Sequence, residues 1–476
     1  MASALAALAA LSAARLTGAV TGMSVIERAR PQDLMTLWPD DVGWPQDIGA
    51  LAVLDGSGLL DAEGGFRLEP VRALIEGRLH LVPRFRQVLD TPRWGLGRPV
   101  WVDSPVFDVG DHVGLAPLSG QGDEDELLTM VEQLRRRPLD RSRPLWELWF
   151  LPGLAGGRVG LYMKVHHVMA DGPAAVALLA ALLDGVPELA PPSPRTWAPR
   201  PAPSARELLA DNVRGRLGAL VRIVAAPRRP RGVLHDARMA WRALSGTVAA
   251  SRSPRSTVNR EIGPNRRLIL VRSSLEPVKR VGRDHGATVN DVLLAAVAGG
   301  ARALLRGRGE PVGRTPFRAM VPVSLRRDER GRPEGNLLGS IVVPLPVDTA
   351  DPVRRLELVS AATAQLKRDD SARAGELVRS GLLPRSSVRM MAHQRLQQTY
   401  VSNVPGPQVP LHLAGAPLLE IFPIIPLIGN LTLAVGAFSY VGQLNVAVVV
   451  DPDSCPDHDV FAQGVRDALR VLQAEG

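Results

Sequence analysis

Cysteine is almost missing. Cys455 stands alone, which excludes an intramolecular disulfide and any multi-cysteine zinc or iron-sulfur site, and suits a reducing compartment. Between Ser454 and Pro456, with no base beside it, it reads as an incidental thiol. Lysine is nearly as scarce: of 57 lysines and arginines, only Lys164, Lys279 and Lys367 are lysines. A GC-rich coding sequence would produce that ratio. The net charge of +9 equally suits anionic partners such as phospholipid headgroups or a nucleotide tail. No zinc finger, RNA-binding aromatic motif or basic-region helix accompanies the charge, so no nucleic-acid partner is expected. Long hydrophobic runs are also missing. The alanine-rich stretch Met1 to Gly22 has no positive start and is broken by Arg15, so it reads neither as a secretory signal nor as the ~20 apolar residues of a membrane span. Met23 is an alternative start, because patterned sequence begins after it. A membrane, if one is involved, is met from its surface.

What is present is the composition of a globular protein, 45% hydrophobic and 22% charged over 476 residues, a length that calls for two domains. Ile48 to Leu54 reads as a strand ended by Asp55-Gly56, Leu68 to Leu81 has apolar residues at helical spacing, and Asp123 to Arg137 reads as an amphipathic helix. Mixed α/β structure follows. Prolines at 187, 191, 192, 194, 199, 201 and 203 mark an interdomain linker. The organisation expected is therefore an N-terminal extension (1–22), a first lobe (23–186), a proline-rich linker with a basic helical region (187–258) and a second lobe (259–476). Within the third part, Ala205 to Leu244 carries arginines among leucines and valines, as in a helical pair that lies either on an anionic membrane or on its own domain. The second lobe should open with a strand at Arg267 to Val271 and helices over Leu275 to Asp284 and Asn290 to Leu305, and close with paired strands over Leu431 to Val450 around Gly442.

Chemistry concentrates in His166-His167-Val168-Met169-Ala170-Asp171-Gly172. In a chain with nine histidines this pattern arises by chance in about one sequence in a thousand. A neutral imidazole, with an ordinary pKa near 6.5, can take a hydroxyl proton as the oxygen attacks a carbonyl. Strand alternation places Val159, Leu161, Met163 and Val165 on one face with His167, and Gly160, Tyr162, Lys164 and His166 on the other. His167 is accordingly the candidate base. His166 is a second candidate, with a structural role weighed above a catalytic one. Asp171 can hold the backbone by pairing with an arginine, and Gly172 lets the chain pass where a side chain would block a channel. A metal pair is disfavoured, since successive strand residues face apart and no Glu or third His is near. On its residues alone Asn290 reads as a helix N-cap, Pro144-Leu145-Trp146 as core packing and Ser402 to Pro407 as a turn.

Taken with the histidine segment, Pro144-Leu145-Trp146, Asn290-Asp291, Val321 to Arg326, Gly335-Asn336 and Ser402 to Pro407 occur in an order that resembles bacterial wax ester synthase/diacylglycerol acyltransferases, from about Arg28 to the C-terminus. These are relatives of chloramphenicol acetyltransferases and peptide-synthetase condensation domains. The resemblance implies two similar chloramphenicol-acetyltransferase-like α/β lobes with the active-site tunnel at their interface. It also implies Asn290-Asp291 holding the second lobe together, and Pro144, Leu145 and Trp146 at the substrate tunnel. The activity implied is transfer of a long-chain acyl group from acyl-CoA, as co-substrate with no permanently bound cofactor, to diacylglycerol or a long-chain alcohol. The oxyanion would be met by a hydroxyl or backbone N–H of the second lobe. The implied location is cytoplasmic, peripheral to the inner face of the membrane or to lipid droplets. The alternatives are a condensation-type acyltransferase using a carrier-bound substrate, and an inactive lipid-surface protein.

Overall fold

A computed structural model describes residues 26–93, 96–170, 172–184, 197–225, 256–313, 316–324, 338–368 and 385–475. The 1–22 extension, the start of the linker, the second half of the basic region, Asp171, Leu325-Arg326 and Gly335-Asn336 lie outside them. The strands are β1 (Asp47–Asp55), β2 (Gln87–Asp90), β3 (Val100–Asp103), β4 (Val113–Leu115), β5 (Trp146–Leu154), β6 (Arg158–His166), β7 (Arg267–Ser274), β8 (Phe317–Ser324), β9 (Leu338–Leu345), β10 (Thr399–Pro405), β11 (His412–Leu413), β12 (Ala416–Ile424), β13 (Leu433–Tyr440) and β14 (Gln443–Val450). The helices are α1 (Pro31–Leu37), α2 (Leu68–Arg78), α3 (Glu124–Arg136), α4 (Gly172–Leu182), α5 (Ala205–Ala225), α6 (Leu275–Asp284), α7 (Val289–Gly307), α8 (Pro352–Arg368) and α9 (His458–Ala474).

Two six-stranded sheets organise the chain, in the orders β11-β12-β1-β6-β5-β4 and β7-β14-β13-β10-β8-β9. Strand alternation sorts the side chains. In β1, Ile48, Ala50, Ala52 and Leu54 enter a core shared with α2 and α4, whereas Leu51 and Val53 turn to the opposite face. In β14, Leu444, Val446, Val448 and Val450 face α7 and α9, whereas Ala447 and Val449 turn away. The faces turned away meet each other. With Tyr162, Leu268, Leu270, Phe422 and Ile424 they form a third core between the sheets. The strand β12 lies there, hydrogen-bonded to β1 in the first sheet although it comes from the second half of the chain, and packed on β13 of the second. Pro423 of β12 sits against Gly436 of β13, where an added Cβ would lie 3.1 Å from the proline ring.

Most helices follow local signals. Asp123 caps α3 by accepting from Glu126 N at 2.8 Å, and Leu127, Leu128, Val131 and Leu134 form its buried face. The long α7 is capped not by Asn290 but by Thr288, whose hydroxyl accepts from Asp291 N at 3.2 Å while the Asp291 carboxylate takes the Thr288 N–H at 2.8 Å. Asn290 is the second helical residue. The capping box two residues earlier satisfies the free N–H groups, so the cap moves there. The Ser402 to Pro407 segment is likewise mostly strand rather than turn. Up to Pro405 it runs parallel to β13, with Asn403 opposite Ala437. Pairing with a formed sheet overrides the turn preference of these residues, and only Gly406 and Pro407 leave it. A Cβ on Gly406 would come within 2.3 Å of the Phe438 ring, which explains the glycine.

Candidate active site

The strand β6 ends at His166, one residue before alternation would have placed His167, and the chain turns over residues 166–169 before entering α4. Each backbone N–H of this turn has a partner. His166 N donates to Leu145 O at 3.0 Å, His167 N to Gln46 O at 2.9 Å, and Met169 N to His166 O at 2.9 Å. The Val168 N–H donates to Nδ1 of His166 at 3.0 Å. An Nδ1 that accepts carries no proton, so the proton of His166 is on Nε2, which donates to Asp40 Oδ2 at 3.0 Å. His166 is buried and committed on both ring nitrogens. His167, half-buried, follows it on the turn.

Beneath the turn lies a set of charges from three segments. Asp40 belongs to a single 3-10 turn, Trp38–Val42, closed by Gly43 in the left-handed region at φ 86°. Its Oδ1 accepts the Gln46 N–H at 3.0 Å, and Arg141 reaches Oδ2 at 3.0 Å. Burial works against its ionisation, but the hydrogen bonds from His166, Arg141 and the Gln46 N–H outweigh burial and hold its carboxyl below the usual range. Lys164, two residues before His166 on the same face of β6, is fully buried and donates to Arg137 O, with Asp47 Oδ2 at 3.5 Å. For Asp47 the balance is reversed: burial outweighs the Lys164 charge and raises its pKa. Sequence reading missed Asp40, Gln46 and Asp47. Strand parity puts Lys164 and His166 on one face, but nothing in the sequence joins that face to a turn 126 residues away.

Pro144, Leu145 and Trp146 lead into β5 beside this turn. Leu145 packs with Trp101, Leu139, Val168 and Met169, so it touches the histidine turn directly. Trp146 is fully buried. It stacks on Phe85 (centroids 4.6 Å) and His112 (4.5 Å), and its indole N–H donates to Phe85 O at 2.8 Å. His112 Nδ1 donates to Trp146 O at 2.8 Å, and burial lowers the pKa of this ring. The Asn290-Asp291 pair lies at the start of α7, away from these contacts. Asp291, itself buried, adds to its capping box a hydrogen bond from Thr363 of α8 at 2.8 Å and so joins two helices of the second lobe. Gly172 opens α4. Among the described residues no group of His, Cys, Asp and Glu has the arrangement of a metal site.

Comparison with known proteins gives concordant results. The family model for the wax ester synthase/diacylglycerol acyltransferase catalytic domain matches residues 30–293, and that for the WS/DGAT C-terminal domain matches residues 334–473. A Mycobacterium tuberculosis protein named probable diacylglycerol O-acyltransferase is 32% identical over 436 residues, covering 90% of this chain and 91% of its own. Another M. tuberculosis relative carrying a diacylglycerol O-acyltransferase name is 35% identical over 421 residues, covering 84% and 87%. Among solved structures, the wax ester synthase/diacylglycerol acyltransferase from Marinobacter aquaeolei superposes with a TM-score of 0.64 at 23% identity, covering 94% of this chain and 99% of that one. The first condensation domain of the CDA synthetase shares the fold at a TM-score of 0.56 and 18% identity, covering 94% and 96%.

Proposed function

The chain belongs to the wax ester synthase/diacylglycerol acyltransferase family, and from that premise we propose that it joins an acyl group from acyl-CoA to the hydroxyl of diacylglycerol or a long-chain alcohol with His167 as general base. His167 takes the hydroxyl proton as the oxygen attacks the thioester carbonyl. The tetrahedral intermediate then expels the coenzyme A thiolate, which recovers the proton from the imidazolium. No covalent acyl-enzyme is needed. A positioned base contributes about 10²- to 10⁴-fold, and alignment of two long substrates adds to it.

The observation that carries this reading is the commitment of His166 to the fold. His166 has both ring nitrogens occupied by Val168 N–H and the Asp40 carboxylate, and is buried, so it is unsuited to exchanging a proton with substrate. That leaves His167, held by its backbone on Gln46. Leu145 supports the same turn through Val168 and Met169, which is the tunnel role we assign to the Pro144-Leu145-Trp146 segment. Asp171 and Gly172 are assigned to shaping the passage from the turn into α4. The assay is thiol release from palmitoyl-CoA in the presence of diacylglycerol or hexadecanol. His167→Ala should lose transfer by at least the ~10²-fold of a general base, while His166→Asn retains measurable turnover. Wild-type activity in the His167 variant would remove the assignment.

For location, we propose peripheral attachment to an anionic lipid surface. Among the described residues no single helix is long and apolar enough to cross a membrane. The support for surface attachment is α5. One side of it is fastened to the first lobe, where Arg28 Nε donates to Asp211 at 2.6 Å and Nη2 to Leu208 O at 2.8 Å. The other side leaves Leu209, Val213, Leu217 and Val221, spaced four apart, exposed beside Arg206, Arg214 and Arg216. Apolar residues flanked by arginines suit the boundary between headgroups and acyl chains, where acceptor and product both reside.

A further inference from the structure

A general base is effective only if its ring is held where the proton will be, and a turn of four residues has little stiffness of its own. The bonds that stiffen this turn converge on one side chain remote from it in sequence. Asp40 uses both carboxylate oxygens. Oδ2 takes the Nε2 proton of His166 at 3.0 Å, and Oδ1 takes the Gln46 N–H at 3.0 Å. Gln46 in turn presents its carbonyl to the His167 N–H at 2.9 Å. One carboxylate thereby reaches both histidines, His166 through its ring and His167 through the Gln46 backbone. The hydrogen-bond polarity is determined throughout. Because Nε2 of His166 must be the donor, Nδ1 stays free of a proton and accepts from Val168, which fixes the residue following His167 as well.

We infer that Asp40 is a positioning residue for the transfer reaction, holding the His166 tautomer and the Gln46 carbonyl that together set where His167 stands. This inference rests on the assignment of His167 as base. The mechanism parallels the carboxylate that orients a catalytic imidazole elsewhere, except that Asp40 acts through the neighbour and the backbone and not on the base itself. Its setting suits the task. The 3-10 turn that carries Asp40 is wedged between the lobes, with Trp38 and Val42 in the intersheet core beside Val388 and Met391 of the 3-10 segment Arg385–His393. Arg141 closes the outer side of the carboxylate and bonds Leu37 O at 3.3 Å as well.

Asp40→Asn distinguishes positioning from simple support. An asparagine turned to give its oxygen to His166 offers an NH₂ group where the Gln46 N–H needs an acceptor, and turned the other way it offers a donor to a donor. Either way one bond to the turn is lost. In the full-length enzyme, at a temperature well below its melting point, thiol release should show kcat reduced by ten- to about 100-fold, the scale of a misplacement near 1 Å, with KM for palmitoyl-CoA within about twofold. Combined with His166→Asn, the substitution should cost less than the product of the two single effects, because both disturb the Asp40–His166 bond while only Asp40→Asn also disturbs the Gln46 arm. Wild-type kcat in a folded Asp40→Asn enzyme, or effects of the two substitutions that multiply, would overturn the inference. Should Asp40→Asn not fold, Asp40→Glu, which keeps the charge but displaces both oxygens, is judged by the same two criteria. His167→Ala measured alongside keeps the questions apart. Its retention of activity would remove the base, whereas the Asp40 results bear only on how a working base is held.

Discussion

At the scale of single residues, burial rather than charge alone sets the behaviour of the groups around the histidine turn. Asp40 and Asp47 are seven residues apart and both face a cation or imidazole, yet their pKa values move in opposite directions. Asp40 has three donors converging on it and is held low, whereas Asp47, more deeply buried with Lys164 as its partner, is pushed up. His112 provides a measurable consequence. Its ring is sandwiched between Phe107 and Trp146, and burial lowers its pKa. Below the unfolded value of about 6.5 the unfolded chain binds a proton that the native ring resists, so stability is lost as pH falls through that value toward the depressed folded one. His112→Phe keeps the stacking and removes the titration. Denaturant unfolding at several pH values between 7.5 and 5 should therefore show a shallower loss in the variant, and parallel curves would contradict the assignment.

At the scale of elements, the second lobe depends on a close helix contact. Gly299 and Gly300 of α7 meet Gly464 of α9, where a Cβ on Gly300 would fall 2.6 Å from Val465 and 2.7 Å from Phe461 O. Small residues let these backbones approach, and at Gly300 the backbone carbonyl of Phe461 is among the atoms that would have to yield. Gly300→Leu should destabilise the protein by at least the 1–3 kcal/mol typical of overpacking, read as a lower denaturation midpoint. The helix α5 poses the opposite case, a face with too little cover. Each basic residue near an anionic surface contributes ~1 kcal/mol of attraction, which salt screens, and burial of the leucines and valines adds to it. Co-sedimentation with phosphatidylglycerol vesicles should weaken as salt rises, and should weaken further when Arg214, Arg216 and Arg222 are all changed to Gln. Sedimentation indifferent to both would leave α5 as ordinary surface.

At the scale of the whole molecule, the two lobes are not separable along the chain. The strand β12 lies in the second half of the sequence but completes the first sheet beside β1, and Arg272 of β7 is tied to Glu420 of β12 at 2.7 Å and to Glu124 of α3 at 2.5 Å. The backbone of β7 also reaches across, with Leu268 N donating to Glu132 Oε1 at 2.9 Å. A fragment ending at residue 258 would leave β1, an apolar strand, as an open sheet edge with unpaired N–H and C=O groups, a template for aggregation. Size-exclusion chromatography of residues 26–258 should accordingly show aggregate. A monodisperse, folded fragment would mean that the first lobe does not need β12.

The sequence by itself determined what is local. Period-two and helical apolar patterns located β1, α3, α6 and the β13–β14 hairpin to within a few residues, and the spacing of His166, His167, Asp171 and Gly172, with the other ordered segments, pointed to the family and its acyl transfer. Parity along β6 put Lys164 and His166 on one face, because side-chain alternation is a property of the strand alone, but the strand ends at His166 and alternation does not extend to His167. Tertiary structure decided whatever depends on a partner distant in sequence. It moved the cap of α7 from Asn290 to Thr288, drew Ser402 to Pro405 into a strand beside β13, and carried β12 across to the first sheet. It also decided the surroundings of His166. Which nitrogen carries the proton depends on Asp40 and on the Val168 N–H, and only folding brings a carboxylate 126 residues upstream to within 3.0 Å of that ring.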